Sequence, residues 1–198
     1  MQDQRRHQRI RFSVQPPIKI GYSGQVARGK IENLSASGVM FRVDLPLAVD
    51  KTFGCEFKVF GSPKIDIAAP VVSRVGDLFG ARFVSGPISD VLIQDTMDAA
   101  LGDGQASIVS MHRVDGRRTM RIIGGLNGSL RNDFEYSLGK VGVDEIDVGQ
   151  VTQVDEAGLQ LCLHAVARKG ACIGAQSPVF SAAWQRLEAE IGSVREES

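Results

Sequence analysis

Residues 31–43 read Ile31-Glu32-Asn33-Leu34-Ser35-Ala36-Ser37-Gly38-Val39-Met40-Phe41-Arg42-Val43. In the second part, Val39, Phe41 and Val43 alternate with Met40 and Arg42. That is the period-two pattern of a strand with one buried face. In the first part, Asn33 and Ser35 lie two apart, so on an extended segment they project to one side. Gly38 permits a positive φ or a close approach of the backbone to a ligand. Taken alone, Asn-x-Ser-x-x-Gly is an ordinary polar turn between two strands.

The alternation continues outward. Phe53, Cys55, Phe57 and Val59 alternate with Gly54, Glu56 and Lys58, and Ile65, Ile67, Ala69 and Val71 repeat the pattern. Turn signals separate the runs at Tyr22-Ser-Gly-Gln25, Ser35-Ala-Ser-Gly38, Phe60-Gly-Ser-Pro63 and Val75-Gly-Asp77. Short strands at this spacing with no helix between them predict a small antiparallel barrel or sandwich. Near residue 88 the texture changes. Leu92, Ile93, Thr96, Met97, Ala100 and Leu101 form one apolar stripe at helical period, with Ser89 as the expected cap and Gly102-Asp-Gly104 as stop and linker.

The chain has 198 residues, with 23 Lys+Arg against 23 Asp+Glu. A formal charge of zero argues against a nucleic-acid coater or a polybasic membrane binder. No apolar run is long enough to span a bilayer, and no apolar segment follows the basic N-terminus as in a signal peptide. Cys55, Cys162 and Cys172 are odd in number and far from CxxC spacing, which predicts buried thiols in a reducing compartment. The expectation is a cytoplasmic protein without membrane insertion.

Charge does cluster locally: Arg5, Arg6, Arg9 and Arg11 fall within seven residues. A guanidinium is always charged and binds phosphate in a bidentate fork. It also pairs with guanine O6 and N7 or stacks on a base. Such an arm suits a small anionic ligand containing guanine. It equally suits a solvated basic tail.

The arm and the turn together are more specific. Arg5-x-x-x-Arg9, then a strand, then Asn33-x-Ser35-x-x-Gly38 resembles the PilZ family, and Phe79-Gly80-Ala81-Arg82-Phe83 is similar to that family's closing strand. The resemblance covers about residues 5–100. It implies a six-stranded antiparallel β-barrel that receives the bacterial second messenger cyclic di-GMP. It implies that Arg5 and Arg9 take phosphates and guanine faces with Arg6 assisting, and that Asn33, Ser35 and Gly38 meet a guanine edge and the backbone. Many members carry Asp where this chain has Asn33. An amide offers one carbonyl oxygen, so weaker binding is expected.

Beyond residue 105 strands and helices alternate, which predicts an α/β layer domain. Thr119–Ile123 reads as a strand, and Leu130, Phe134 and Leu138 suit a short helix. Val143–Val148 and Val151–Val154 read as two strand pieces, and Ala171–Gly174 as another. Leu159–Ala167 is an apolar stretch closed by Arg168-Lys169-Gly170, and Trp184, Leu187 and Ile191 mark a final helix. The turn Asp155-Glu156-Ala157-Gly158 resembles the STAS family, related to anti-sigma-factor antagonists, over roughly residues 107–193. Glu156 stands where that family usually carries its phosphoacceptor hydroxyl, so no phosphorylation switch is expected. Its charge is either a crude substitute for phosphate or a helix-capping acid.

Enzyme readings find no support. No Walker-type loop occurs, and Gly124-Gly-Leu-Asn-Gly128 reads as a strand end and turn. Cys162 and His164 face different directions on a helix. No nucleophile, paired-carboxylate or metal-ligand spacing stands out.

The expected protein is thus a two-domain α+β chain. Residues 1–104 are expected to form a PilZ-like barrel with an arginine arm and a C-terminal helix. Residues 105–198 are expected to form an α/β STAS-like interaction domain. Its expected partners are cyclic di-GMP and an unidentified protein, with no nucleic-acid polymer, cofactor or metal. The alternative is a protein–protein adaptor whose barrel binds no nucleotide.

Overall fold

The computed structural model describes residues 8–196, with side-chain surroundings as far as Glu190. Two compact units divide between Ala100 and Leu101.

The first unit carries strands β1 (Arg9–Phe12), β2 (Pro17–Tyr22), β3 (Gln25–Ser35), β4 (Gly38–Val43), β5 (Thr52–Phe57), β6 (Ile65–Val75) and β7 (Leu78–Arg82), then helix α1 (Pro87–Gly102). Antiparallel pairings run β2–β3, β3–β4, β4–β7, β7–β6, β6–β5 and β5–β2, which closes a ring of six strands and removes free edges. The seventh strand, β1, lies end to end with β2 along the same edge of β3. Residues 25–30 of β3 pair with β2, and residues 33–35 pair with β1.

Alternation explains the interior. Ile18, Ile20, Ile31, Val39, Phe41, Phe53, Phe57, Ile65 and Phe79 are all buried. Phe41 packs against Phe53 and stacks on Phe79, with ring centroids 5.3 and 5.7 Å apart. Ring pairs of this kind add about 0.5–1.5 kcal/mol each beyond the area they bury. The β2–β3 hairpin turns through Ser23 and Gly24, both at positive φ, the backbone that matches strand twist.

Helix α1 begins two residues before Ser89. Pro87 occupies the first helical position, where its missing N–H costs nothing. Ser89 sits inside the first turn, and its Oγ accepts from the Gly86 N–H at 2.9 Å. Ile93, Thr96, Met97 and Ala100 are its buried residues. Among the described residues no helix is long and apolar enough to cross a membrane.

The second unit holds β8 (Ala106–Val114), β9 (Arg117–Leu126), α2 (Arg131–Tyr136), β10 (Glu145–Val154), α3 (Glu156–Lys169), β11 (Cys172–Gln176) and α4 (Pro178–Glu196). β8 and β9 form an antiparallel hairpin, and β9, β10 and β11 run parallel. The expected pieces 143–148 and 151–154 are one strand, β10, whose register slips between Asp147 and Gln150 and again between Val151 and Gln153. The short helix expected at Leu130–Leu138 is three pieces: a 3₁₀ turn at Gly128–Leu130, α2, and a π turn at Ser137–Val141. The core gathers Met120, Ile122, Phe134, Ile146, Val148, Cys162 and Phe180. The last helix starts earlier than expected, and its buried anchor is Phe180, on which Trp184 stacks at 5.4 Å.

The thiols differ from expectation at one position. Cys55 and Cys162 are buried, and burial pushes both up to about 12. Cys172 is exposed.

Candidate functional site

The site is built where β1, β3, β4 and β7 run side by side. A β-bulge at Glu32 sets its geometry. Ile31 pairs with Phe41 and Asn33 with Met40, so Glu32 is the extra residue. The bulge resets the alternation. Ile31 and Leu34 are both fully buried, while Asn33 is left only partly buried on the outer side. Glu32 is anchored there by Arg42, whose guanidinium also bonds Asp77, at 2.7 and 2.6 Å. Those carboxylates raise the Arg42 pKa and occupy it.

Two cross-strand rows follow from the register. The first runs Arg9, Ser35, Gly38, Arg82. The second runs Arg11, Asn33, Met40, Gly80, Ser73. Residues opposite each other on paired strands are close enough to interact directly. Neither row contains a carboxylate.

The rows place the sequence candidates as follows. Arg9 lies in β1 rather than on an arm ahead of the first strand, with its Cα opposite Ser35. Its Nη1 and the Nδ2 of Asn33 both donate to Met40 Sδ, at 3.0 and 3.2 Å. A thioether is a weak acceptor, so stronger acceptors displace it at little cost. Ser35 is buried, and its hydroxyl donates to the Gly38 carbonyl at 3.1 Å, which leaves its lone pairs as acceptors. Arg5 and Arg6 lie outside the described residues.

Gly38 is required for a reason the sequence did not supply. It does not have positive φ. A Cβ there would collide with the carbonyl oxygen of Ala81 and stand 3.2 Å from the Arg82 Cα. The neighbour that approaches is strand β7. The Phe83 N–H also donates to the Ser37 carbonyl at 3.0 Å, fastening the end of β7 to the turn.

In the second unit, Asp155 caps α3 as expected, accepting from the Gly158 N–H at 2.7 Å, with Glu156 in the first turn. Gly170 ends the helix in the left-handed conformation at φ 70°. A cavity of about 450 Å³ lies beside α2 and α3, with Phe134 and Leu161 as apolar lining, Arg131 and Lys169 as cationic lining, and His164 between them in sequence. Among the described residues no group of three or more His, Cys, Asp or Glu side chains is placed to hold a metal ion.

A closed six-stranded barrel with an arginine-bearing strand laid beside an Asn-x-Ser-x-x-Gly turn defines a PilZ-type module. The PilZ domain family model matches residues 3–97, and that part of the chain is a PilZ domain. No curated protein matches the chain. Among solved structures it is similar to the PilZ domain with c-di-GMP of YcgR from Escherichia coli, at 16% identity and a TM-score of 0.44, covering 49% of this chain and 91% of that one. It is also similar to PlzA of Borreliella burgdorferi in complex with c-di-GMP, at 20% identity and a TM-score of 0.36, covering 48% of this chain and 41% of that one. The Bacillus subtilis inhibitor of motility MotI/DgrA is similar at 13% identity and a TM-score of 0.41, covering 50% of this chain and 52% of that one.

Proposed function

We propose that the chain is a cyclic di-GMP receptor that performs no chemistry and passes its signal by protein–protein interaction. The observation that carries this reading is the pairing of β1 with β3, which sets Arg9 directly across from Ser35 and brings it with Asn33 onto Met40. A phosphate or guanine acceptor entering here replaces a thioether with a far better partner for the guanidinium. The Asn33 Oδ1 and Ser35 Oγ offer acceptors to guanine N–H donors. Arg5 and Arg6, just ahead of β1, join Arg9 around the same ligand.

The second unit is proposed as a STAS-like interaction domain. Its strand and helix order, with the capped Asp155 turn opening α3, supports that reading. Glu156 makes that turn constitutively acidic, so the nucleotide is the input.

Calorimetric titration of the full chain with cyclic di-GMP tests the receptor reading. Saturable binding, absent with GMP, is the expected result. No binding would overturn it and leave the adaptor alternative.

A further inference from the structure

We infer that Arg82 on β7 is a further ligand-binding residue, closing the same site on the side opposite Arg9 and taking a phosphate of the bound nucleotide. The inference rests on the receptor reading and adds a residue that the arm and the turn do not contain.

Three observations carry it. The first is placement. Arg82 is the last member of the row Arg9, Ser35, Gly38, Arg82, so the two arginines flank the turn from opposite sides. They stand three strand spacings apart, or roughly 14 Å at the backbone. Long side chains from both ends reach a small ligand seated over Ser35 and Gly38.

The second is rigidity. The backbone at Arg82 is held against the turn by its pairing with Gly38, by the close approach of Ala81 to Gly38, and by the Phe83 N–H bond to the Ser37 carbonyl. A side chain mounted on so fixed a backbone meets a ligand with little loss of freedom on the main-chain side.

The third is charge. Arg82 is exposed, and its side chain has no ion pair or hydrogen bond among the described residues. Arg42, in the same barrel, is held by Glu32 and Asp77. The two rows beside Arg82 contain no carboxylate to pair with it.

Titrations of wild type, Arg82→Ala, Arg82→Lys and, as a control on the second unit, Arg113→Ala with cyclic di-GMP test the inference. Arg82→Ala is expected to bind about ten- to a hundredfold more weakly, the loss of one charge-assisted contact, with unchanged thermal melting. Arg82→Lys should fall between, since it keeps the charge and loses the fork. Arg113→Ala should bind as wild type. If wild type binds and Arg82→Ala stays within about twofold of it, or if Arg113→Ala loses as much as Arg82→Ala, the role of Arg82 is overturned while the receptor reading stands. If wild type does not bind, the receptor reading falls and takes this inference with it.

Discussion

Arg9 Nη1 lies 3.0 Å from Met40 Sδ, across three strands of one sheet surface, with Asn33 Nδ2 on the same sulfur at 3.2 Å. The shared sulfur ties the two side chains together, and a thioether is a weak acceptor that a better one readily replaces. In the proposed receptor both side chains are thus placed before a nucleotide arrives, and the ordering cost of binding is lower.

Arg9→Ala should weaken cyclic di-GMP binding by about 1.5–3 kcal/mol, or roughly ten- to a hundredfold. Arg9 is exposed at the start of β1, so the melting temperature should change little. Calorimetry and a thermal melt on the same preparation check both halves. Undiminished affinity would remove Arg9 from the site.

Gly38→Val should unfold or strongly destabilise the barrel, because its side chain would meet the Ala81 backbone rather than a movable side chain. Overpacking of that kind costs about 1–3 kcal/mol or more. Ser35→Ala should cost about 0.5–1.5 kcal/mol, the net value of the bond to the Gly38 carbonyl. Denaturant midpoints of both variants without ligand check this. A Gly38→Val protein as stable as wild type would contradict the packing account.

Much of this was legible in the sequence where side chains alternate. Val39, Phe41 and Val43, and the run from Phe53 to Val71, face inward as their period requires. Arg9 and the turn, singled out by their spacing, lie side by side through the pairing of Arg9 with Ser35, and the capping of α3 by Asp155 was readable from one residue type. What escaped depended on distant partners. No local pattern says that Ala81 presses on Gly38, or that Arg82 belongs to the row of Arg9, because the register of β4 with β7 joins residues about forty apart. β8 was missed because its burial does not alternate, with Ala106, Ser107 and Ile108 all buried in succession. Asp115-Gly116, both at positive φ, was the available hairpin signal there. The bulge at Glu32 likewise has no signature in composition.

A thiol reagent should modify Cys172 quickly and leave Cys55 and Cys162 untouched until the chain is denatured. The thiolate is the reactive form. Burial excludes the reagent from Cys55 and Cys162 and pushes both to about 12, while Cys172 is exposed. Mass spectrometry after brief labelling gives the answer. Rapid labelling of Cys55 would mean that the barrel opens readily.

The second unit should lose stability in acid through Asp144. Its carboxylate accepts from the Arg118 backbone N–H at 2.8 Å and from the Arg118 guanidinium at 3.1 and 2.9 Å. The side-chain bonds first, then the backbone bond, hold its pKa well below the ordinary 3.8. A depressed carboxyl contributes stability above its unfolded pKa and loses it as pH falls through the folded one. Asp144→Asn should therefore be less stable than wild type at neutral pH, and the gap should close only in strong acid, below about pH 4. Denaturant midpoints across that range check it. A gap that is constant with pH would assign the loss to packing rather than to the charge.

Asn33→Asp should tighten nucleotide binding. The amide now divides its two ends: Nδ2 points at Met40 Sδ, and Oδ1 alone remains to accept. A carboxylate presents two accepting oxygens and a full charge, and hydrogen bonds to an ionised acceptor are roughly twice as strong as neutral ones. Against this stands repulsion from the ligand's phosphates. Position 33 is partly buried between Arg11 and Met40 in its row, and Arg9 reaches the same sulfur, so a carboxylate there sits among guanidinium groups that offset it. The balance favours the carboxylate by about 0.7–1.4 kcal/mol, or roughly three- to tenfold in affinity. The gain should shrink with added salt, because the offsetting arginines are exposed and screened. Titrations of wild type and Asn33→Asp at low and high ionic strength decide it. A variant that binds more weakly at every salt concentration would show that position 33 faces phosphate rather than a guanine edge, and the ligand's orientation across the two rows would have to be reversed.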